Sequence, residues 1–343
     1  MNEILNTLYV QTQGALLQLD HDTVRVVVEG ETRLRVPLIR LSSIVIFGQV
    51  SVTPFLIHRC ADDGRPIVWL DYTGRYRAKI EGRTKGNVLL RRAQHLALSD
   101  PTRTCGLAKQ LVAGKIRNSR SLLQRAARDS NDLMTRDELT QASDRLLLIL
   151  QQLQGASTVD QVRGLEGEAG RNYFAAFRHV IRNEQSEFVF MGRTRRPPLD
   201  RTNCVLSFLY SLLRTECISA LEGVGLDPQI GYLHSLRPGR PALALDLMEE
   251  LRPIFADRLA LNLINRQQLK VGHFEITPGG AVLLNEEGRR EVLVAYQKRK
   301  EMQVSHRLLG QKVPLGLLPH VQARLLARYL RGDMEDYIPF TVS

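Results

Sequence analysis

Apolar and polar positions alternate, or nearly so, along Thr23–Glu29 and Thr32–Val36, around turn signals at His21-Asp22 and Glu29-Gly30. A period of two is what a strand with one buried face requires. Ile44–Phe47 and Ile67–Leu70 are short unbroken apolar runs that suit buried strands. Between them Pro54–Ala61 has helical spacing and stops before the Asp62–Pro66 turn. The first stretch, to about residue 80, therefore predicts a small sheet with one short helix. After Gly82–Gly86 glycine and proline thin out, and apolar residues recur at three and four from Val88 onward. Ala142–Leu153 predicts a helix. Thr158 and Gln161 offer a capping box ahead of another, whose apolar stripe is Leu165, Ala169, Phe174 and Phe177. The expected class is α+β: a small β-strand-rich N-terminal domain over 1–80, a linker at 81–87, and a larger all-helical domain over 88–343.

Composition changes the picture in one respect, charge. Lys and Arg number 47 against 36 Asp and Glu in 343 residues, and the pI is near 9.8. An anionic partner follows, with nucleic acid first because the cations are mostly arginine, which forks onto phosphates. A membrane surface fits less well, since no long helix pairs a basic face with a Trp/Phe-rich one. Met1–Ile4 carries no signal-peptide pattern and no apolar run approaches a membrane span; Leu146–Leu150 is among the longest. Cys60, Cys105, Cys204 and Cys217 are scattered without a Cys-x-x-Cys, as expected of reduced thiols in a cytoplasmic protein.

Candidate chemistry gathers in two segments. Asp246, Glu249 and Glu250 fall on adjacent positions of one face if Ala244–Leu251 is helical, with Pro253 ending or kinking that helix. His234 precedes them across a loop rich in Pro and Gly. A solvated acidic face with an unrelated loop histidine is one reading. The apolar neighbours Leu243, Leu245, Leu247, Met248 and Leu251 argue instead for a buried set. Glu166 is either a first-turn carboxylate complementing a helix dipole or a further member of that set. Tyr173 lies two turns further along the same face, either as an interfacial tyrosine or within reach of the site. Carboxylates with one imidazole suit Mg²⁺ or Mn²⁺ better than zinc.

The cations are organised too. From Pro101 to Arg128 there is no acid, and Arg117, Arg120, Arg125 and Arg128 share one broad helical face that could follow a phosphate backbone. Arg193, Arg195 and Arg196 form a second cluster and Lys298–Lys300 a third. Other chemistries are missing: Gly223-Val-Gly225 lacks the third glycine of a dinucleotide fingerprint, and there is no Walker A, His-Glu-x-x-His or Gly-x-Ser-x-Gly sequence.

Taken in order, several segments resemble one family over essentially the whole chain. Leu8–Ala15 and Val36–Gly48 resemble its N-terminal β-domain, Leu165–Phe174 its first acidic motif, and Arg195–Tyr210, Gly231–His234 and Leu245–Pro253 the rest of its core. The family is the CRISPR-associated integrase, the larger of the two near-universal CRISPR adaptation proteins, here of subtype I-C-like character. The resemblance implies a β-rich domain followed by a helical catalytic domain. It also implies a homodimer, two such dimers being bridged by a dimer of the smaller adaptation protein. Its metal ligands fall on Glu166, His234 and Glu249, and its auxiliary acid on Asp246. Arg237 and Arg252 fall where basic residues flank the site, and Tyr210 where a tyrosine lies near DNA. The implied activity is metal-dependent integration of captured DNA into a CRISPR array in a prokaryotic cytoplasm. A repair nuclease with the same metal site, or a non-catalytic DNA-binding scaffold, would be the alternatives.

Overall fold

The computed structural model describes residues 6–83, 88–182 and 186–342. The chain divides into two compact units, Met1–Lys85 and Gly86–Ser343. Most of the expected linker, residues 84–87, lies outside the described residues, as does the Met1–Ile4 segment.

The first unit runs β1 (Asn6–Val10), β2 (Leu16–Asp20), β3 (Thr23–Val28), β4 (Glu31–Pro37), β5 (Leu41–Phe47), β6 (Ser51–Val52), α1 (Pro54–Asp62), β7 (Ile67–Leu70) and β8 (Tyr76–Ile80). Two four-stranded sheets replace the single small sheet that the pattern suggested, in the orders β4-β3-β2-β6 and β1-β5-β7-β8. β2, β3 and β4 pair antiparallel, whereas β5 is parallel to both β1 and β7. Central position in that second sheet explains the unbroken apolar runs of β5 and β7. Parallel neighbours need a crossover, which β6 and α1 supply. Ile44, Ile46 and Ile67 meet Leu17, Val24, Leu56 and Cys60 in this unit's core. The edge strand β8 alternates Tyr76, Ala78 and Ile80 with Arg77 and Lys79.

The second unit is mostly helical: α2 (Val88–Ser99), α3 (Pro101–Arg128), α4 (Leu133–Gly155), α5 (Val159–Phe177), α6 (Arg201–Gly223), α7 (Ala242–Leu251), α8 (Arg258–Asn265), α9 (Glu286–Glu301) and α10 (Leu318–Arg331). It also carries two antiparallel ribbons, β9 (Phe274–Ile276) with β10 (Val282–Leu284) and β11 (Gln303–His306) with β12 (Gln311–Pro314), so it is not all-helical. Asp100 caps α3 by accepting from the Thr102 and Arg103 amides, with Pro101 in the first turn. The capping box of α5 forms between Thr158 and Gln161. α3 packs on α4, α5 and α7 and buries Leu107, Leu111, Ile116 and Leu123. α6 is, against expectation, long and apolar enough to cross a membrane by length and composition. Its apolar character has a different cause: Val205, Leu206, Leu209, Leu212 and Leu213 are buried within this unit, where α6 packs on α7, α8 and α10.

Pro253 does not stop the chain's helical course. Without an N–H, proline cannot continue the i→i−4 ladder. Pro253–Asp257 instead forms a π-turn, in which the Asp257 amide reaches the Arg252 carbonyl at 3.0 Å. α8 begins directly afterwards.

Candidate metal centre

Asp246, Glu249 and Glu250 are all fully buried on α7, which removes the reading of a solvated acidic face. Each serves a different neighbour. Asp246 turns to the loop before the helix: its Oδ2 accepts from the Tyr232 and Leu233 amides at 2.6 and 3.0 Å, and its Oδ1 from the His234 amide at 2.9 Å. The same Oδ1 lies 2.6 Å from His234 Nδ1. So close an approach depends on Gly231, where a Cβ would stand 2.6 Å from the Ala242 backbone and 2.8 Å from Asp246 Oδ2. Arg163 of α5 ties down the loop from the other side by donating to the Leu233 carbonyl at 2.6 Å.

Glu249 faces Lys115 of α3 and the His234 ring. Its Oε1 lies 3.7 Å from His234 Nε2 and 2.8 Å from Arg252 Nη1, and its Oε2 lies 2.7 Å from Lys115 Nζ. Lys115 also hydrogen-bonds Glu166 Oε1 on α5, so one ammonium joins two of the candidate ligands. Burial alone would raise the Glu249 carboxyl; Arg252, Lys115 and His234 together hold it well below the usual carboxylate range. Burial likewise opposes the charge on Lys115, and Glu249 and Glu166 overcome it, raising the lysine. Both Glu249 oxygens are buried, and each lies within ion-pair distance of a different cation. An ionised carboxylate in this position is the kind of oxygen donor that a hard cation takes as a ligand.

Two carboxylates and an imidazole whose far nitrogen is fixed by a third carboxylate make a donor set suited to Mg²⁺ or Mn²⁺. Among the described residues no three His, Cys, Asp or Glu side chains stand in ready metal-binding geometry, and Lys115 lies between the two glutamates.

Glu250 points the other way, to the C-terminal segment. It accepts from Tyr337 Oη at 2.6 Å, Gln322 Nε2 at 3.0 Å and the Phe340 amide at 2.7 Å. Burial pushes its carboxyl up to about 7 despite these donors. Tyr173 and Tyr210 do not reach the three candidate ligands. Their hydroxyls donate to Asp257 at 2.9 and 2.6 Å, at the end of the π-turn. Burial raises Asp257 to about 6, opposed by those two hydroxyls. The guanidiniums of Arg252 and Arg193 lie over the Tyr210 ring at 5.1 and 5.2 Å, which links this second cluster to the first.

The arginines separate by exposure. Arg195, Arg196 and Arg237 are exposed, whereas Arg193 turns inward to Asn203 and Ser207. The expected stripe on α3 divides: Arg117, Arg125 and Arg128 are exposed, but Arg120 donates to the Ser143 carbonyl of α4. Lys115 and Asp257 were not legible as site residues. Lys115 sits in a run that reads as a basic face, and Asp257 follows a proline that reads as a helix end. All four cysteines are free and buried.

Residues 8–298 match the model of the family described as CRISPR associated protein Cas1. A CRISPR-associated endonuclease Cas1 of Moorella thermoacetica is 53% identical over 99% of both chains. Among solved structures, a Cas1 protein from Thermotoga maritima superposes with TM-score 0.81 at 24% identity, covering 98% of this chain and 99% of the other. A casposase bound to integration product gives 0.83 at 23% identity, covering 98% and 93%. These two likenesses concern the fold. The family match, with the relative that spans the full length, shows that this chain belongs to the Cas1 family.

Proposed function

We propose that this chain is a divalent-metal-dependent DNA integrase of CRISPR adaptation, which joins short captured DNA to a CRISPR array. The observation that carries the reading is Glu249: a fully buried carboxylate held ionised by neighbouring cations, facing His234 and tied through Lys115 to Glu166. Glu166, His234 and Glu249 would hold Mg²⁺ or Mn²⁺. Once bound, such an ion neutralises charge on a phosphodiester under attack. Asp246 keeps His234 in one orientation, with Nδ1 engaged and Nε2 free to face the site. Arg252, resting on Tyr210, sets a fixed positive charge beside Glu249. The exposed Arg195, Arg196, Arg237, Arg117 and Arg128 would hold DNA backbone, giving affinity without sequence information.

In the reaction the 3′-hydroxyl oxygen of captured DNA forms a new bond to phosphorus as the array strand's own P–O bond breaks. This is transesterification, and no covalent protein intermediate is needed. Water in place of the hydroxyl would make the same residues a nuclease. The working form we propose is a homodimer acting with the smaller adaptation protein.

The test is strand transfer by the purified chain, with and without that partner. Labelled short duplex is mixed with a plasmid bearing a CRISPR array in Mg²⁺ or Mn²⁺, alongside His234→Ala. Metal-dependent joining at the repeat, lost in the variant, is the expected result. Nicking without joining moves the assignment to a nuclease. Binding that is unchanged by His234→Ala, with no joining, leaves only a scaffold.

A further inference from the structure

Lys115 counts in the sequence as one more cation of an acid-free run, yet in the fold it faces inward. It follows Gly114, where α3 comes so close to its neighbours that a Cβ would lie 2.7 Å from Pro339 Cβ and 3.1 Å from Glu250 Cβ. That closeness brings the lysine to α7. The side chain is 11% exposed, and its ammonium contacts Glu249 Oε2 at 2.7 Å and Glu166 Oε1 together. A buried ammonium is tolerated only where opposite charge and hydrogen bonds offset its desolvation. Lys115 has both, supplied by two of the three residues assigned above to the metal. Arg252 already neutralises Glu249 from its other oxygen. A divalent cation seated between the same two carboxylates would stand within a few ångströms of the ammonium, and the two positive charges would repel.

We propose that Lys115 is the resident counter-cation of this centre. It holds Glu166 and Glu249 together without metal and has to withdraw before a divalent ion binds between them. Lys115 therefore sets the metal affinity. It also couples ion entry to DNA, because an arriving phosphodiester offers the displaced ammonium a new partner. The proposal rests on the metal-site reading, and its test separates the two.

Mn²⁺ binding to the full chain is measured from the free-ion electron paramagnetic resonance signal, with and without short duplex DNA. The proteins compared are the unsubstituted chain, Lys115→Met, Lys115→Arg and His234→Ala. Lys115→Met is expected to bind Mn²⁺ roughly tenfold more tightly and to lose most of the gain that DNA confers. Lys115→Arg, which keeps the charge, should restore weak binding. Equal affinities of the unsubstituted chain and Lys115→Met, both above His234→Ala, overturn the role of Lys115 and leave the metal centre standing. Equal binding by the unsubstituted chain and His234→Ala removes the metal centre and the proposal together. If Lys115→Met does not fold, acetylation of the unsubstituted chain read by mass spectrometry decides: Lys115 should be protected without Mn²⁺ and reactive with it. Protection unchanged by Mn²⁺ overturns the proposal.

Discussion

His234 Nδ1 lies 2.6 Å from Asp246 Oδ1, and the amides of Tyr232, Leu233 and His234 end on the same carboxylate. Asp246 is thereby saturated by the loop that it holds, so its part is to position the imidazole. In Asp246→Asn a carboxamide nitrogen would face an N–H, leaving a buried donor unsatisfied at a cost of about 1–3 kcal/mol. The expected result is a modest fall in melting temperature with roughly 10–100-fold weaker Mn²⁺ binding. Calorimetric titration and thermal unfolding measure both, and unchanged metal affinity would sink the positioning role.

Glu250 should give the protein a recognisable pH dependence. Its folded carboxyl titrates at about 7 against an ordinary 4.5, so the folded state keeps this proton longer than the unfolded state does. The contribution is fully present below the unfolded value and is lost as pH rises through about 7. Asp257, raised to about 6, acts in the same direction. Thermal stability should therefore decline across that interval, with Glu250 supplying about 1–3 kcal/mol of the change. Glu250→Gln should flatten part of the slope in melts run at a series of pH values, while lowering stability overall because the Phe340 amide loses its acceptor.

Arg125, Arg128 and Arg258 line a small cleft with Asn118 and Ser121, on a floor of Pro253 and Ile254. Burial, and then the charge of Arg125, lower the Arg258 pKa, as expected of cations gathered without enough counter-charge. A DNA phosphate would relieve that crowding. Arg258→Gln and Arg128→Gln should each reduce the slope of log affinity for DNA against log salt by about one. Arg120→Gln should leave the slope unchanged and cost stability instead, since Arg120 is bonded to the Ser143 carbonyl.

Tyr173→Phe and Tyr210→Phe each remove one donor from the buried Asp257 carboxylate. Each should cost about 1–3 kcal/mol in denaturant unfolding. Because they share an acceptor, the double variant should depart from the sum of the two single ones. Strict additivity would show that Asp257 does not join them.

Legibility followed local physics. β5 and β7 were readable because central strands carry unbroken apolar runs, here Ile44–Phe47 and Ile67–Leu70, and α5 because its cap lies in four consecutive residues. The second sheet was not, since it is assembled by pairings between distant segments such as β1 with β5. Within the site, sequence isolated Glu166, His234, Asp246 and Glu249 as residue types that share a chemistry, but not how their contacts are divided. That Asp246 serves a loop and Glu250 the C-terminal segment depends on which way a buried helix faces. Lys115 needed the close approach at Gly114, a tertiary fact. Asp257 needed the π-turn, which the proline conceals.

That turn imposes a constraint on spacing. Two hydroxyls, from α5 and α6, converge on one carboxylate because the chain is wound one residue wider between Glu249 and Asp257. Deleting a residue there would swing everything beyond it by about 100° about the helix axis. Asp257 would then leave its tyrosines even if every remaining side chain were kept. Homologous chains should accordingly tolerate exchanges among the apolar residues of this stretch far better than any change in their number.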